Sequence, residues 1–487
     1  MNGSRQRRDM RLDPGRPRDL PVEIELVDGV RVAAANDLSA MPSWVLFEQE
    51  DWFEPELAWL RRAVRPGWRV LDSAAGCGVL AASLARAAGP GGRMLVCEAA
   101  PDLHERLQLT RRINDLPWLD PQRIALAAGP DQTAGPGQAP ASGQVRRPGW
   151  TIGRLLMAEG PFDLVRLDAQ AVPGLSAAGS GRRDNTPILL VRLDPGDPAA
   201  GLVAGEILQA AGFQLYHLLP GFDAAAPLDA GFLDDFTLNL IACPPERAAE
   251  LAARGLLATP AAIAAARVRD RAPPPDPFTR NWPEACAGIA ACLGEGLPLA
   301  ARIARAETLA TAWLGGLRDF VDLIHHPARL IALVRLLAAT GARTTALEAL
   351  RPLLHLLQSG RLALDEPALA IARPFDGGGG GGGEDGGGPG PAVPPVHEPG
   401  TVEADWLALS LLDTMGRLMA HSSFMAGDLL HPALTLHRSS AHFSPELERR
   451  RQLVARRRGE LAAFEPTPPM LRSRNARFCR PGRSQAA

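Results

Sequence analysis

The sequence predicts an α/β protein, a mostly parallel sheet with helices on both faces, followed by an all-α C-terminal region. Between Arg69 and Cys243, short apolar runs alternate with helical patterns. Alternation at that spacing calls for crossover helices on a parallel sheet. After Pro245 the strand signals stop, and Ala/Leu-rich helical pattern continues alone. A chain of 487 residues is also too long for one ordinary core, so more than one domain is expected.

The elements follow in order. Residues 1–20 are polar and arginine-rich and are expected to be disordered. Val22 to Val27 alternates, Asp28-Gly29 turns, and Val30-Arg31-Val32 returns, the signature of a hairpin with a type I′ turn. A helix is expected over 55–64, ending at Pro66-Gly67. About seven strands are expected: 69–72, 94–98, 124–128, 162–168, 188–192, 213–219 and 237–243. Helices over 79–88, 102–114 and 199–211 separate them, and a Gly/Pro/Gln-rich loop spans roughly 129–149. This first unit is bounded at 21–257. A helical region, 258–375, follows, with helices over 283–294, 297–314, 327–340 and 344–358. Gly341-Ala342-Arg343 lies where the turn of an α-hairpin belongs. The run Gly377 to Gly383 marks 376–400 as a linker. A helical segment is expected over 401–464, its Glu446-to-Arg458 stretch a solvated face, and a disordered tail over 465–487.

Composition narrows the function classes. The formal net charge of -2 gives no footprint for nucleic acid. All 52 basic residues are arginine, a compositional drift rather than an arginine surface. The six cysteines form no C-x-x-C pair and have no neighbouring histidines at zinc spacing, so reduced, buried thiols are expected and no metal. The polar start is no secretory signal, and no apolar run reaches the ~20 residues that span a bilayer. A cytoplasmic protein without a membrane partner is the expectation.

The strongest local signal is Val70-Leu71-Asp72-Ser73-Ala74-Ala75-Gly76-Cys77-Gly78. A strand runs into an acidic residue, a small-residue turn and a helix. Ala74, Gly76 and Gly78 let the backbone pass close to a ligand, and the helix start favours an anionic group. Glu98, ending the next strand, can accept hydrogen bonds from a ribose diol. Two cofactor classes use this arrangement. A dinucleotide site would read Gly76-x-Gly78-x-x-Ala81 as its glycine fingerprint. A methyltransferase would place Asp72 near the ammonium group of its cofactor. Pyrophosphate beside Asp72 would be repelled, so Asp72 favours the cationic sulfonium cofactor.

The residues resemble the FkbM-type methyltransferases over roughly 20–257. The segments Val45 to Glu54 and Arg65 to Asp72, Asn114, Phe162 to Asp168, and Leu238 to Cys243 carry the likeness. The resemblance implies a class I (Rossmann-like) fold, S-adenosyl-L-methionine as cofactor, and O-methylation of a hydroxyl-bearing small-molecule or glycan acceptor. It makes Asp72, Ala74, Gly76, Gly78 and Glu98 the cofactor-binding residues. Asp168 is then the candidate catalytic residue, as base or as positioner of the acceptor. The chain departs from the family's pattern: Ala74 and Gly76 replace a glycine and an asparagine. Arg166 stands for a lysine, Gln170-Ala171 for a Glu-Gly pair, and Arg192 for a glutamate.

Two other readings compete. In one, the methyltransferase-like half is degenerate and the C-terminal helices bind a protein partner. In the other, the chain is a nicotinamide-dependent oxidoreductase. His325-His326, with only Asp322 nearby, is too sparse for a metal site. Trp44, Trp52, Phe53 and Trp59 are expected to pack the N-terminal segment onto the sheet.

Overall fold

The computed structural model describes residues 10–73, 75–126, 150–176, 186–194, 196–228, 236–269, 296–318, 327–358, 416, 418–426, 445–465 and 472–479. The hairpin pairs β1 (Val22–Glu25) with β2 (Arg31–Ala34). Gly29 is left-handed while Asp28 is not among the positive-φ residues. The turn therefore is not the expected type I′, which needs two such residues. The Asp28 carboxylate accepts from the Val30 N–H at 3.1 Å instead. Helices α1 (Met41–Gln49) and α2 (Glu56–Ala63) follow.

The main sheet is built from β3 (Arg69–Asp72), β4 (Arg93–Cys97), β5 (Leu119–Gln122), β6 (Leu164–Asp168), β7 (Ile188–Arg192), β8 (Gln214–Leu219), β9 (Ala224–Pro227) and β10 (Asn239–Cys243). Their order is β5-β4-β3-β6-β7-β10-β8-β9. The strands from β5 to β7 run parallel, and β10 lies reversed between β7 and β8. This is an α/β, Rossmann-like fold, as expected, with β9 added beyond the seven strands foreseen. An Ala-Ala-Ala-Pro strand has no β-branched residue to announce it.

Side chains alternate across the sheet. Leu71, Leu95, Val165, Leu189 and Leu240 face a core shared with α5 (Ile152–Glu159) and α7 (Pro198–Ala210). Val70, Met94, Leu164, Leu190 and Ile241 face the other core, shared with α2, α3 (Val79–Ala88) and α4 (Pro101–Ile113). The described residues 124–126 form no strand, and the third strand lies earlier, at β5, an edge strand containing Pro121. Its Asp120 holds Arg93 of β4 at 2.6 Å. A proline fits an edge, where its missing N–H breaks no ladder.

The C-terminal helices belong to that second core. After α8 (Pro245–Ala253) and α9 (Pro260–Arg269) come α10 (Leu299–Arg318), α11 (Pro327–Ala339) and α12 (Arg343–Gln358). Ile303, Leu330, Leu350 and Leu453 share a core cluster with Trp59 and Ile241. Gly341 takes φ +83 between α11 and α12, the hairpin turn expected there. It sits against His217, which is buried.

Three further expectations are overturned. The stretch from Glu446 to Arg458, α14 after the short α13 (Ser423–Ala426), is not a solvated face. Its Arg449, Arg450, Gln452, Leu453 and Val454 are buried. The reason is charge pairing: Arg450 meets the fully buried Glu48 of α1 at 2.6 Å, and Arg451 meets Glu448 and Glu465. Glu48 also accepts from the Trp44 indole and from the N–H and hydroxyl of Ser423. Residues 10–20 are not free either. Leu12 is buried, and the Asn36 amide donates to the carbonyls of Asp13 and Arg16. Within the expected disordered tail, 472–479 is docked. Asn475 exchanges hydrogen bonds with the Glu25 backbone, and Phe478 packs on Phe47. The helix expected over 283–294, the linker 376–400 and residues 1–9 lie outside the described residues.

Candidate functional site

In an open parallel sheet, ligands sit beyond the carboxyl ends of the strands, where the strand order reverses. Here that point lies between β3 and β6, and the residues at its rim are Asp72, the glycine turn, Glu98, Asp168 and Arg192. Ala74 lies outside the described residues. Gly76 and Gly78 both adopt positive φ, +55 and +83, which only glycine takes at little cost. Their surroundings differ. A Cβ on Gly78 would run into Leu107 of α4, whereas one on Gly76 would meet nothing within 4 Å. Gly78 thus abuts α4, and Gly76 borders open space.

Glu98 binds this turn directly. Its carboxylate accepts from the Gly76 N–H at 2.9 Å and from the Ala100 N–H at 2.8 Å. Burial, the largest influence, pushes its pKa up despite those bonds. The structure therefore brings Glu98 and Gly76 together across β4 and β3.

Asp72 is placed differently from a ligand-contacting residue. It is 1% exposed and takes an ion pair from Arg166 of β6 at 3.3 Å. Arg166 also holds Glu54 at 3.1 Å. The Asn239 amide, at the start of β10, donates to both Glu54 and Glu56 at 3.1 Å. The cluster thus sets three acidic groups against one guanidinium beneath the strand ends. Burial, and then the neighbouring Glu54 charge, pushes Glu56 up to about 8, so it holds its proton at neutral pH.

That shift has a sign. A carboxyl whose pKa is raised on folding binds its proton more tightly in the native state. Stability is then full below the ordinary glutamate pKa and falls as pH rises towards about 8. Glu56→Gln is expected to flatten this slope and to be relatively more stable at pH 8 than at pH 5. Urea unfolding at the two pH values checks it, and parallel wild-type and variant curves would refute it.

Asp168 ends β6 in register with Arg192 at the end of β7. The Arg192 Nε donates to Asp168 Oδ1 at 2.7 Å, and both side chains keep contact with solvent. The family pattern of a glutamate at 192 is thus replaced by a cation that pairs with the candidate base. Gln170 and Ala171 fall in a short 3₁₀ turn directly after Asp168.

The aromatic residues divide. Trp44 and Trp59 are fully buried, their indole N–H groups donating to Ser423 Oγ and the Leu256 carbonyl at 2.8 Å. Trp52 and Phe53 are only half-buried, and the Trp52 indole donates to Glu54 at 3.0 Å. Cys77, Cys97 and Cys243 are buried, free thiols pushed up to about 11, 12 and 12 by burial, hence unreactive. His325-His326 lies outside the described residues, among which no group of His, Cys, Asp and Glu has metal-binding geometry. Likewise no described helix is long and apolar enough to cross a membrane.

Sequence reasoning missed Glu54, Glu56 and Asn239. Their only signal was two carboxylates flanking Pro55 at a helix start, which reads equally well as exposed charge.

No protein-family model matches the chain, and no curated protein does. Solved structures do resemble it. Ribosomal protein L11 methylase from Lactobacillus delbrueckii subsp. bulgaricus is 14% identical, covering 39% of this chain and 76% of its own, with a TM-score of 0.25. An SAM-dependent O-methyltransferase from Thermotoga maritima is 16% identical, covering 39% and 63%, with a TM-score of 0.24. An SAM-dependent methyltransferase from Aquifex aeolicus is 12% identical, covering 39% and 89%, also at 0.24. Likenesses of this size say nothing about substrate or reaction.

Proposed function

We propose that the chain is an S-adenosylmethionine-dependent methyltransferase of FkbM type, acting on a hydroxyl of a sugar-like or secondary-metabolite acceptor. The observation that carries this reading is the Glu98 carboxylate bound to the Gly76 N–H at the strand ends, with open space at Gly76. A carboxylate so fixed has lone pairs left for a ribose diol. Below it, Asp72 and Glu54 share one guanidinium, and an acidic floor suits a cationic ligand.

S-adenosylmethionine supplies a methyl group on a positively charged sulfur. Glu98 would hold its ribose, Gly76 and Gly78 would keep the backbone clear of it, and Ala74 belongs to the same turn. Asp72, covered by Arg166, would act through its charge and by fixing the start of the turn. In-line transfer needs alignment above all. Asp168 would orient the acceptor hydroxyl or take its proton through Oδ2, while Arg192 holds Oδ1.

Calorimetric titration tests the cofactor. S-adenosylmethionine and S-adenosylhomocysteine are expected to bind, and the oxidised nicotinamide dinucleotide is not. Glu98→Ala removes charge-assisted hydrogen bonds worth about 1.5–3 kcal/mol each, so affinity should fall at least about tenfold. Equal affinity in wild type and variant would remove Glu98 from the site.

The competing reading is a degenerate methyltransferase fold that serves as a scaffold, with a protein partner on the helical half. The Asp168–Arg192 pair favours it, because a base engaged by a guanidinium is a poorer proton acceptor. Binding of neither S-adenosyl compound would select this reading.

A further inference from the structure

Arg123 follows the last residue of β5, one strand beyond Glu98. The two strand ends are tied together, the Glu98 N–H donating to the Gln122 carbonyl at 3.1 Å. Nε and Nη2 of Arg123 are both buried and have no hydrogen-bond partner. These two nitrogens form one edge of the guanidinium, the fork that receives two oxygens of a carboxylate or phosphate side by side. His104, in the first turns of α4, presents a second buried nitrogen without a partner, Nδ1. Its other nitrogen, Nε2, lies 3.5 Å from the Gln108 amide.

Buried donors left unbonded are costly, and such groups in folded proteins call for an explanation. The neighbouring carboxylates are engaged elsewhere: Asp120 pairs with Arg93, Glu98 accepts from the Gly76 and Ala100 N–H groups, and Asp102 pairs with Arg106. Glu105, beside His104, is exposed. The positive end of the α4 dipole adds to the field at this point. We infer that Arg123 and His104 form an oxyanion-binding notch at the end of β5, taking a phosphate or carboxylate group on the free fork of Arg123 with His104 Nδ1 alongside.

His104 also supplies a reporter. Burial, and then the Arg123 charge, lowers its pKa below the ordinary histidine value. A bound anion would offset the Arg123 charge and move that pKa back up.

The test is a titration of the full-length protein with inorganic phosphate and with acetate, read by calorimetry and by the ring resonances of His104. The expected result is saturable binding of either anion with a rise in the His104 pKa. Arg123→Gln should weaken binding at least tenfold, and His104→Asn should weaken it less, with thermal unfolding of each variant confirming a folded chain. Two sources of the anion are then separable. Competition with S-adenosylhomocysteine would put the acidic group on a nucleotide in the same cleft. Simultaneous binding would put it on the acceptor. Absence of anion binding by the wild type overturns the notch. So does loss of S-adenosylhomocysteine binding in Arg123→Gln without any phosphate affinity in the wild type, which would assign the fork to the cofactor base. The anion arm does not depend on the methyltransferase reading, so failure of one leaves the other standing.

Discussion

Arg166→Met is expected to be the most destabilising single substitution in the sheet. The guanidinium is 6% exposed and faces Glu54 and Asp72 from the centre of β6. Removing one member of a buried ion pair leaves an uncompensated charge, typically costing 3–5 kcal/mol. Here two carboxylates lose the same partner. Adding Glu54→Gln should restore part of the loss, because it removes one of the stranded charges. Urea midpoints of the single and double variants decide it. A cost of less than about 1 kcal/mol, the range of an exposed pair, would mean that the cluster is solvated.

The second large effect comes from shortening the chain to residues 1–444. If the sheet half were autonomous, as the boundary at 257 supposes, this would be harmless. The packing argues otherwise. Removal of α14 strips Arg450 from the buried Glu48. It also takes away Phe464 and Phe478, whose rings lie 4.6 and 6.2 Å from that of Phe47. Arg457 is lost from above the Trp44 ring. An unpaired buried carboxylate beside newly exposed aromatic surface is expected to abolish cooperative unfolding or cause aggregation. Size-exclusion chromatography and calorimetric melting of the shortened chain test this. A monomer melting within a few degrees of the full chain would show that α14 and the segment after it are dispensable for the fold.

Much of the fold was legible because it is written locally. The run Val70-Leu71-Asp72 into Gly76-Cys77-Gly78 names a strand, a turn and a helix without help from elsewhere. The alternation of later strands and helices does the same, and Gly341 announces its hairpin through a left-handed backbone. Failures came where distant residues decide. Strand β5 carries Asp120 and Pro121, poor strand formers tolerated because Arg93 and the sheet edge accommodate them. The arginine-dense α14 has the pattern of a solvated helix, and Glu48 and Glu50, some 400 residues earlier, are among the partners that turn it inward. At the site, Asp72, Gly76, Gly78 and Glu98 could be picked out by spacing along two strands. Arg166 read as a replaced lysine, and nothing in its neighbourhood announced that it would cover Asp72 or recruit Glu54 and, through Asn239, Glu56.

The seam between α1 and α14 also orders events in time. Glu48 is made early and Arg450 late, yet the two are buried against each other. During synthesis Trp44 and Phe47 remain uncovered until nearly the whole chain has left the ribosome, since α13, α14 and Phe478 are what cover them. Contacts this distant in sequence form slowly, because a long loop must close first. Until those contacts form, an aromatic face and a buried acid stand without their distant cover, and surface of that kind is what makes incompletely folded chains prone to aggregate.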